Sequence, residues 1–424
     1  MHATVPAGPD TSRVTAVLAF DVSQATLDLY AELGGQVLQR AIPNQTDAIE
    51  RALVGLKALA LGMGYQSVQV VAEPSGAYHD TLMRTARAVG LQTAWVSGEA
   101  VAKMRVVETN DTCKTDRKDP RVIHTLGRLG KTLTHRILPE PYSVLREWNR
   151  VLEAAERGVV HSKGALHTQL KHLFADFGFK KDFLFGPSGR ALLDRFGGNP
   201  HRIVRAGPKR FAAAMKKPAP LVRPSSLEKL YEQAVSSRRH GAGERNSAVL
   251  ELRLRQLLEE LRLHEARKLE ARQAMEALYE EARGQDPRLP RATPGVISAV
   301  HLARVVAETG PLSDFATKQK LLRFAGLNIR ERASGKYRGK SRISKKGRRL
   351  LRKVLGQIVL PLVKRKALYG PYYHRKKEQG LAGNKAMTAV ARLFLKMLHG
   401  WYKSGSAFDR NRVFVSQSQY AQAA

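Results

Sequence analysis

Residues 14–23, Val-Thr-Ala-Val-Leu-Ala-Phe-Asp-Val-Ser, form an apolar run of strand length that ends in a carboxylate, Asp21. Two further strand patterns follow. Residues 25–33 alternate in part, Gly34-Gly35 supplies a turn and residues 36–42 continue, which reads as an antiparallel meander. Thr46 or Asp47 then caps a helix whose apolar positions Ile49, Leu53, Leu56 and Leu59 or Leu61 keep near-helical spacing until Gly62 and Gly64. Residues 67–72 form a buried strand that runs into Glu73-Pro74-Ser75-Gly76. A helix over 77–89 and a strand over 92–96 complete the pattern.

The order strand, strand, strand, helix, strand, helix, strand is the connectivity of an α/β ribonuclease H-like fold. No Gly-x-Gly-x-x-Gly follows the first strand, which removes a dinucleotide-binding domain. From Tyr142 the pattern turns helical, with Leu145, Trp148, Val151 and Leu152 opening an amphipathic stretch that reaches Phe174. Residues 176–225 read only as a helical insertion. Over residues 250–282, spacings of four and three place apolar side chains on one stripe, with His264 and Lys268 as exceptions, so a long helix with a coiled-coil seam is predicted. Such a seam pairs helices within a chain or between chains. A turn at Thr293-Pro294-Gly295-Val296 introduces another helix over 297–308; helices and basic loops then alternate to about Ser404.

Charge is distributed unevenly. The 424 residues carry 72 Lys+Arg against 37 Asp+Glu, a formal net charge of +35. Residues 1–100 hold 6 basic and 9 acidic side chains, net −3, so the remainder holds +38. Such a surface attracts polyanions. A single cysteine, Cys113, excludes an intramolecular disulfide and a cysteine-rich zinc site, and suits the cytoplasm. No apolar stretch of membrane-spanning length and no secretory leader pattern occurs, so nucleic acid rather than a membrane is the expected partner.

Four carboxylates carry the chemistry. In a ribonuclease H-like sheet the first and fourth strands are neighbours, so Asp21 and Glu73 point at one place. Asp116 and Asp119, three apart in Lys114-Thr-Asp-Arg-Lys-Asp119, share a helical face. Singly, each has a structural use as turn former, helix entry or ion-paired surface group. Together they would disfavour their own ionisation without a counter-ion. All-oxygen ligation suits Mg²⁺ or Mn²⁺, and two such ions activate one oxygen and stabilise the other in a phosphoryl displacement. Phosphodiester cleavage or transfer is the reaction class.

The second signal is residues 330–353, with twelve Lys or Arg against one acid, Glu331. Arg330, Arg332, Lys336, Arg338, Lys340, Arg342, Lys345 and Lys346 fit phosphate contacts. Ser334 lies among them, followed by Gly335. Its hydroxyl is a nucleophile only if activated, and Ser341 and Ser344 stand nearby with the same chemistry. Gly335-Lys-Tyr-Arg-Gly-Lys-Ser341 is one residue short of a Walker A loop and follows no strand, so ATP binding is rejected. Thr293-Pro-Gly295 is similar to the hairpin of a helix-hairpin-helix element, whose N–H groups can hold a phosphate.

These residues resemble, in order, the DEDD-type transposases of bacterial insertion sequences, the bridge-RNA-guided recombinases. The matching segments are Ala19-Phe-Asp21-Val-Ser, Val71-Ala-Glu73-Pro-Ser-Gly-Ala-Tyr78, Lys114-Thr-Asp116-Arg-Lys-Asp119, Thr293-Pro-Gly295, Phe324-Ala-Gly-Leu327, Ala333-Ser334-Gly335, Ile343-Ser-Lys-Lys-Gly347, Leu351-Arg352 and Lys403-Ser404-Gly405. The resemblance implies a RuvC-like domain over 1–140 with Asp21, Glu73, Asp116 and Asp119 as its metal-binding tetrad. It implies a helical and coiled-coil region over 141–285, a mainly α-helical transposase domain over 286–410 with Ser334 as catalytic nucleophile, and a tail over 411–424. It also implies donor and target DNA, a structured guide RNA and a homo-oligomer, dimer or tetramer, in which one subunit's metal site can complete another's serine site. Pro120 departs from the family's small residue and puts Asp119 at a helix start. Residues 176–245 exceed the family minimum.

The reading is therefore a DNA recombinase using a Mg²⁺-binding tetrad and a serine. The alternatives are a RuvC-like nuclease or junction resolvase using metal-activated water, and a non-catalytic nucleic-acid-binding protein.

Overall fold

The computed structural model describes residues 15–109, 119–239, 246–330, 333–334, 337–339 and 341–413. The chain divides into two units, Met1–Ile137 and Leu138–Ala424. The first opens with the meander β1 (Thr15–Val22), β2 (Thr26–Leu33) and β3 (Gln36–Pro43). It continues through α1 (Thr46–Gly62), β4 (Ser67–Ala72), α2 (His79–Ala88), β5 (Gln92–Trp95), α3 (Gly98–Thr109) and α4 (Asp119–Arg128) to a short sixth strand, β6 (Leu133–Thr134). The sheet order is β3-β2-β1-β4-β5-β6. β1 runs antiparallel to β2 and parallel to β4, and β4 runs parallel to β5. The first and fourth strands are neighbours, as the connectivity requires.

β1 reads as an almost unbroken apolar run because both of its faces are covered. Ala16, Leu18 and Phe20 enter a core with Leu53 and Leu56 of α1 and Leu82 and Met83 of α2. Val17 and Ala19 enter a second core with Val71, Val101 of α3, and Val122, Ile123 and Leu126 of α4. α4 comes close to the sheet at a glycine. A Cβ at Gly127 would lie 2.7 Å from Val17 Cγ1 and 3.3 Å from Val71 Cγ2.

The start of α1 corrects the sequence reading. Thr46 and Asp47 both lie inside the helix, and the cap position falls on Gln45, whose side chain makes no capping bond. β3 ends at Pro43 and Gln45 is already extended, so the chain enters the helix one residue early. Asp47 remains in the first turn, where its charge favours the positive helix end. The buried face also closes on Ala60, while Leu59 and Leu61 are exposed.

The second unit is mostly helical: α5 (Tyr142–Leu173), α6 (Lys181–Phe185), α7 (Pro187–Phe196), α8 (Pro200–Lys216), α9 (Pro224–Arg239), α10 (Ser247–Gln285), α11 (Ala299–Thr309) and α12 (Lys318–Phe324). Four two-residue strands follow, β7 (Ile329–Arg330), β8 (Ala333–Ser334), β9 (Tyr337–Arg338) and β10 (Arg342–Ile343). Helices α13 (Arg349–Leu362), α14 (Gly370–Glu378) and α15 (Gly383–Ser404) complete it. The insertion forms α6 to α9, which share a core with the end of α5 and the start of α10.

The predicted seam of α10 finds its partner inside the chain. Leu254, Leu258 and Leu261 pack with Leu166, Leu170 and Leu173 of α5. Ala271, Met275, Tyr279 and Ala282 share a core with Leu145 and Leu152 from the other end of α5, so the two helices form an antiparallel hairpin. His264 sits in the seam because α5 offers a glycine there. A Cβ at Gly158 would lie 2.5 Å from the imidazole. In α5 itself Val151, expected on the apolar face, is exposed. No helix among the described residues is long and apolar enough to cross a membrane.

The contact at Gly127 gives a paired test. Gly127→Ala should cost about 1–3 kcal/mol through overpacking. Gly55→Ala, at a helical position with open space around it, should stabilise by up to about 1 kcal/mol. Urea denaturation of the two variants should shift the midpoint in opposite directions.

Candidate functional site

The parallel register of β1 and β4 ends with Phe20 opposite Ala72. The next residues are Asp21 and Glu73. Because side chains alternate along a strand, Asp21 shares a face with Val17 and Ala19, and Glu73 shares the same face with Val71. Both carboxylates are half-buried. Asp21 Oδ1 accepts a hydrogen bond from Val22 N–H at 2.9 Å. Glu73 lies against the first residue of α3: a Cβ at Gly98 would stand 2.4 Å from Glu73 Oε1. The glycine leaves room for the carboxylate beside a helix N-terminus, where negative charge is favoured.

Asp28 of β2, an acid that sequence reasoning left out, stands directly across from Asp21. Like charges in directly opposed positions destabilise a strand pair. The signal was the Ser23–Thr26 turn, whose register sets Asp28 level with Asp21.

Helix α4 lies over this face with its N-terminus at the same end of the sheet. Arg128 pairs with Glu32 at 2.9 Å, and the His124 ring meets Tyr30 at 5.2 Å between centroids. Glu32, Tyr30 and Asp28 succeed one another on one face of β2 and lie opposite Val17, Ala19 and Asp21 of β1. The helix is therefore antiparallel to β1, and its first residue, Asp119, approaches the Asp21 end. Asp119 opens α4, as Pro120 predicts.

Asp119 is 3 % exposed, and its Oδ1 accepts from Arg105 Nε at 2.9 Å and Nη2 at 2.5 Å. Sequence reasoning missed Arg105, which lies fourteen positions away on α3. Asp116 lies outside the described residues. Among the described residues, no three acidic, histidine or cysteine side chains gather closely enough to hold a metal ion. The register thus brings Asp21 and Glu73 to the same end of neighbouring strands, while Asp119, at the start of α4, is held by the Arg105 guanidinium.

The basic segment lies between α12 and α13. Its base is closed by backbone bonds from Lys345 N–H to Gly326 O (3.0 Å), Arg348 N–H to Phe324 O (3.0 Å) and Ser344 N–H to Asn328 O (2.8 Å). A Cβ at Gly347 would lie 2.3 Å from the Phe324 oxygen, so only glycine allows this closure. Arg352 Nη1 adds bonds to the carbonyls of Ala325 and Gly347, both at 3.0 Å. The Ser344 hydroxyl is engaged here, 2.5 Å from Asn328 Oδ1.

From this base β7 pairs with β10, which sets Arg330 opposite Arg342. β8 pairs with β9, and Ser334 stands opposite Tyr337. Arg330, Arg342, Lys345 and Lys346 are exposed. Only the backbone of Ser334 and Arg338 is described; Arg332, Lys336 and Lys340 lie outside the described residues. Opposed arginines destabilise a two-residue ladder, a cost that a polyanion removes. The Thr293–Ile297 bridge forms the predicted turn with Gly295 at φ 73°, and Ser298 caps α11.

Two family models match the chain. Residues 19–175 match a DEDD transposase model of the IS110 type, and residues 291–374 match the model described as Transposase IS116/IS110/IS902 family. The first range spans Asp21, Glu73, Asp116 and Asp119, and the second spans Ser334 and the basic segment. No curated protein matches the chain.

His124 gives this face a pH signature. Burial holds its imidazole down at about 4, with Glu32 opposing and Arg128 reinforcing. The unfolded chain takes up a proton near pH 6.5 that the folded chain refuses, so the contribution of neutral His124 is fully present above 6.5 and is lost as pH falls toward 4. Between pH 7 and pH 5 the wild type should lose about 2 kcal/mol more stability than His124→Gln. Urea titrations at the two pH values check this, and equal losses would remove His124 as the cause.

Proposed function

The chain belongs to the IS110/IS116/IS902 family of transposases, enzymes that act on DNA in transposition, and from that premise we propose a DNA recombinase that cuts and exchanges the strands of an insertion sequence under the guidance of a structured RNA. The observation that carries the reading is the level register of Phe20 and Ala72, from which Asp21 and Glu73 leave adjacent strands on one face. On this reading the first unit is a ribonuclease H-like, RuvC-like acidic site. The proposed division of the chain is an acidic domain over 1–140, a helical region over 141–285, a transposase domain over 286–410 and a tail beyond.

Asp21, Glu73, Asp116 and Asp119 would hold Mg²⁺ or Mn²⁺, two ions. The donor chemistry suits hard cations, because all four are carboxylates and Gly98 leaves space at Glu73; Asp119 joins the set only on release from Arg105. Bound there, divalent ions supply Lewis-acid polarisation of a phosphate oxygen. The Ser334 hydroxyl attacks the scissile phosphorus and gives up its proton, the P–O bond to the leaving strand breaks and that strand departs as a hydroxyl, and the protein–DNA phosphoester holds the end until a hydroxyl of the partner strand displaces the serine. Arg330, Arg332, Lys336, Arg338, Lys340, Arg342, Lys345 and Lys346 neutralise the phosphate backbone. Donor and target DNA, the guide RNA and further copies of the chain complete the assembly.

Two variants separate this mechanism from its rivals. Ser334→Ala should abolish strand exchange and the covalent protein–DNA adduct seen on denaturing gels; retained cleavage would assign the attack to water. Glu73→Gln should lower the rate by at least about 10²-fold while duplex binding stays within about two-fold. Unchanged turnover in Glu73→Gln would remove the acidic site from the reaction.

A further inference from the structure

The insertion carries a surface that the proposed chemistry does not use. Residues 195–227 contain eight Lys or Arg and no Asp or Glu. Three arginines of this helical layer are matched: Arg190 with Glu265, Arg202 with Glu251 and Arg262 with Asp194. Arg205, Lys209, Arg210, Lys216, Lys217 and Arg223 are exposed, and among the described residues none forms an ion pair.

Their arrangement follows from how α8 is built. Gly207, at φ 74° and ψ 159°, breaks the helix, and Pro208 restarts it. In the second half Phe211 and Met215 are buried in the core shared with α5 and α10. Lys209 and Lys216 are seven residues apart on the opposite side, and Arg210 and Lys217 form a second such pair on the flank. Two turns of helix put about 10 Å between the members of each pair, the length of roughly three base-pair steps. The restarted helix also directs its positive end toward Lys209 and Arg210.

We propose that the second half of α8, through Lys209, Arg210, Lys216 and Lys217, is a docking surface for the phosphate backbone of duplex DNA, separate from the basic segment around Ser334. The assignment rests on the reading that the chain acts on DNA. Stacked cations without ion-pair partners repel one another, and a phosphate ladder of matching pitch relieves that repulsion by releasing its own counter-ions. The surface carries no feature that reads bases, so it holds DNA without regard to sequence.

The test is the salt dependence of binding by the full chain to a linear DNA duplex of unrelated sequence, with an RNA duplex of equal length in parallel. In the variant Lys209→Ala/Arg210→Ala/Lys216→Ala/Lys217→Ala the slope of log affinity against log salt for DNA should become shallower by roughly 3. A second variant, Lys209→Gln/Lys216→Gln, should give about half that change and guards against misfolding of the first. An unchanged DNA slope, or a change confined to the RNA duplex, would overturn the assignment. Wild-type protein that binds DNA with the expected slope yet exchanges no strands would defeat the recombinase reading and leave this surface standing.

Discussion

The pairing of β1 with β4 is the constraint on which the acidic face depends. Side chains alternate along a strand, so a slip of one residue would send Glu73 to the opposite face, among the side chains that pack on α1 and α2. What prevents it is the double burial of β1 and β4, where Leu18, Phe20 and Val70 enter one core and Val17, Ala19 and Val71 the other. Gly127 then seats α4 over Val17 and Val71 and so decides where Asp119 arrives. The acids are placed by apolar contacts well behind them.

In the second unit the same work falls to a buried polar cluster. Arg304 of α11, 2 % exposed, donates to Asn149, Glu153 and Glu156 of α5 and to Gln357 of α13. Glu308, also buried, accepts from Asn149 Nδ2 at 3.1 Å and Arg348 Nε at 3.0 Å. A buried charge held by several hydrogen bonds adds little net stability, but it tolerates few alternative packings. Arg348 immediately precedes α13 and also bonds Phe324 O at the base of the basic segment. The cluster therefore fixes where that segment leaves the helical body.

Much of the first unit was legible because its signals are local. Strand-length apolar runs, glycine turns and a proline after Asp119 each act within a few residues, and they yielded the meander, the pairing of the first and fourth strands and the start of α4; the sixth strand was not read. Arg105 and Asp28 were not legible. Arg105 reaches Asp119 only because α3 and α4 pack together, and Asp28 becomes a neighbour of Asp21 only through hairpin register. The seam of α10 shows the same limit from the other side. Its stripe was readable, but its partner α5 begins over a hundred residues earlier, and the tolerance of His264 is explained by Gly158 on that partner. Thr46 and Asp47 looked like caps because their chemistry suits capping; the extended backbone at Gln45 settled the boundary instead.

On the proposed reading, carboxylates gathered at the reacting phosphate would repel the polyanion they act on. Bound metal ions would offset that repulsion at one phosphate, yet their field is short-ranged beside a duplex whose charge extends far beyond it. Attraction over the length of the duplex has to come from fixed cations that the carboxylates do not neutralise. The chain meets this need by segregation: residues 1–100 carry net −3 while the rest carries +38. Within that basic remainder, ion pairing absorbs arginines such as Arg190, Arg202 and Arg262, whereas the second half of α8 keeps its charge unspent. A uniformly mixed surface of equal net charge would hold DNA less well, because each cation would first have to leave an acidic neighbour. If the acidic site proposed above does the chemistry, the uneven charge is what lets it work on nucleic acid.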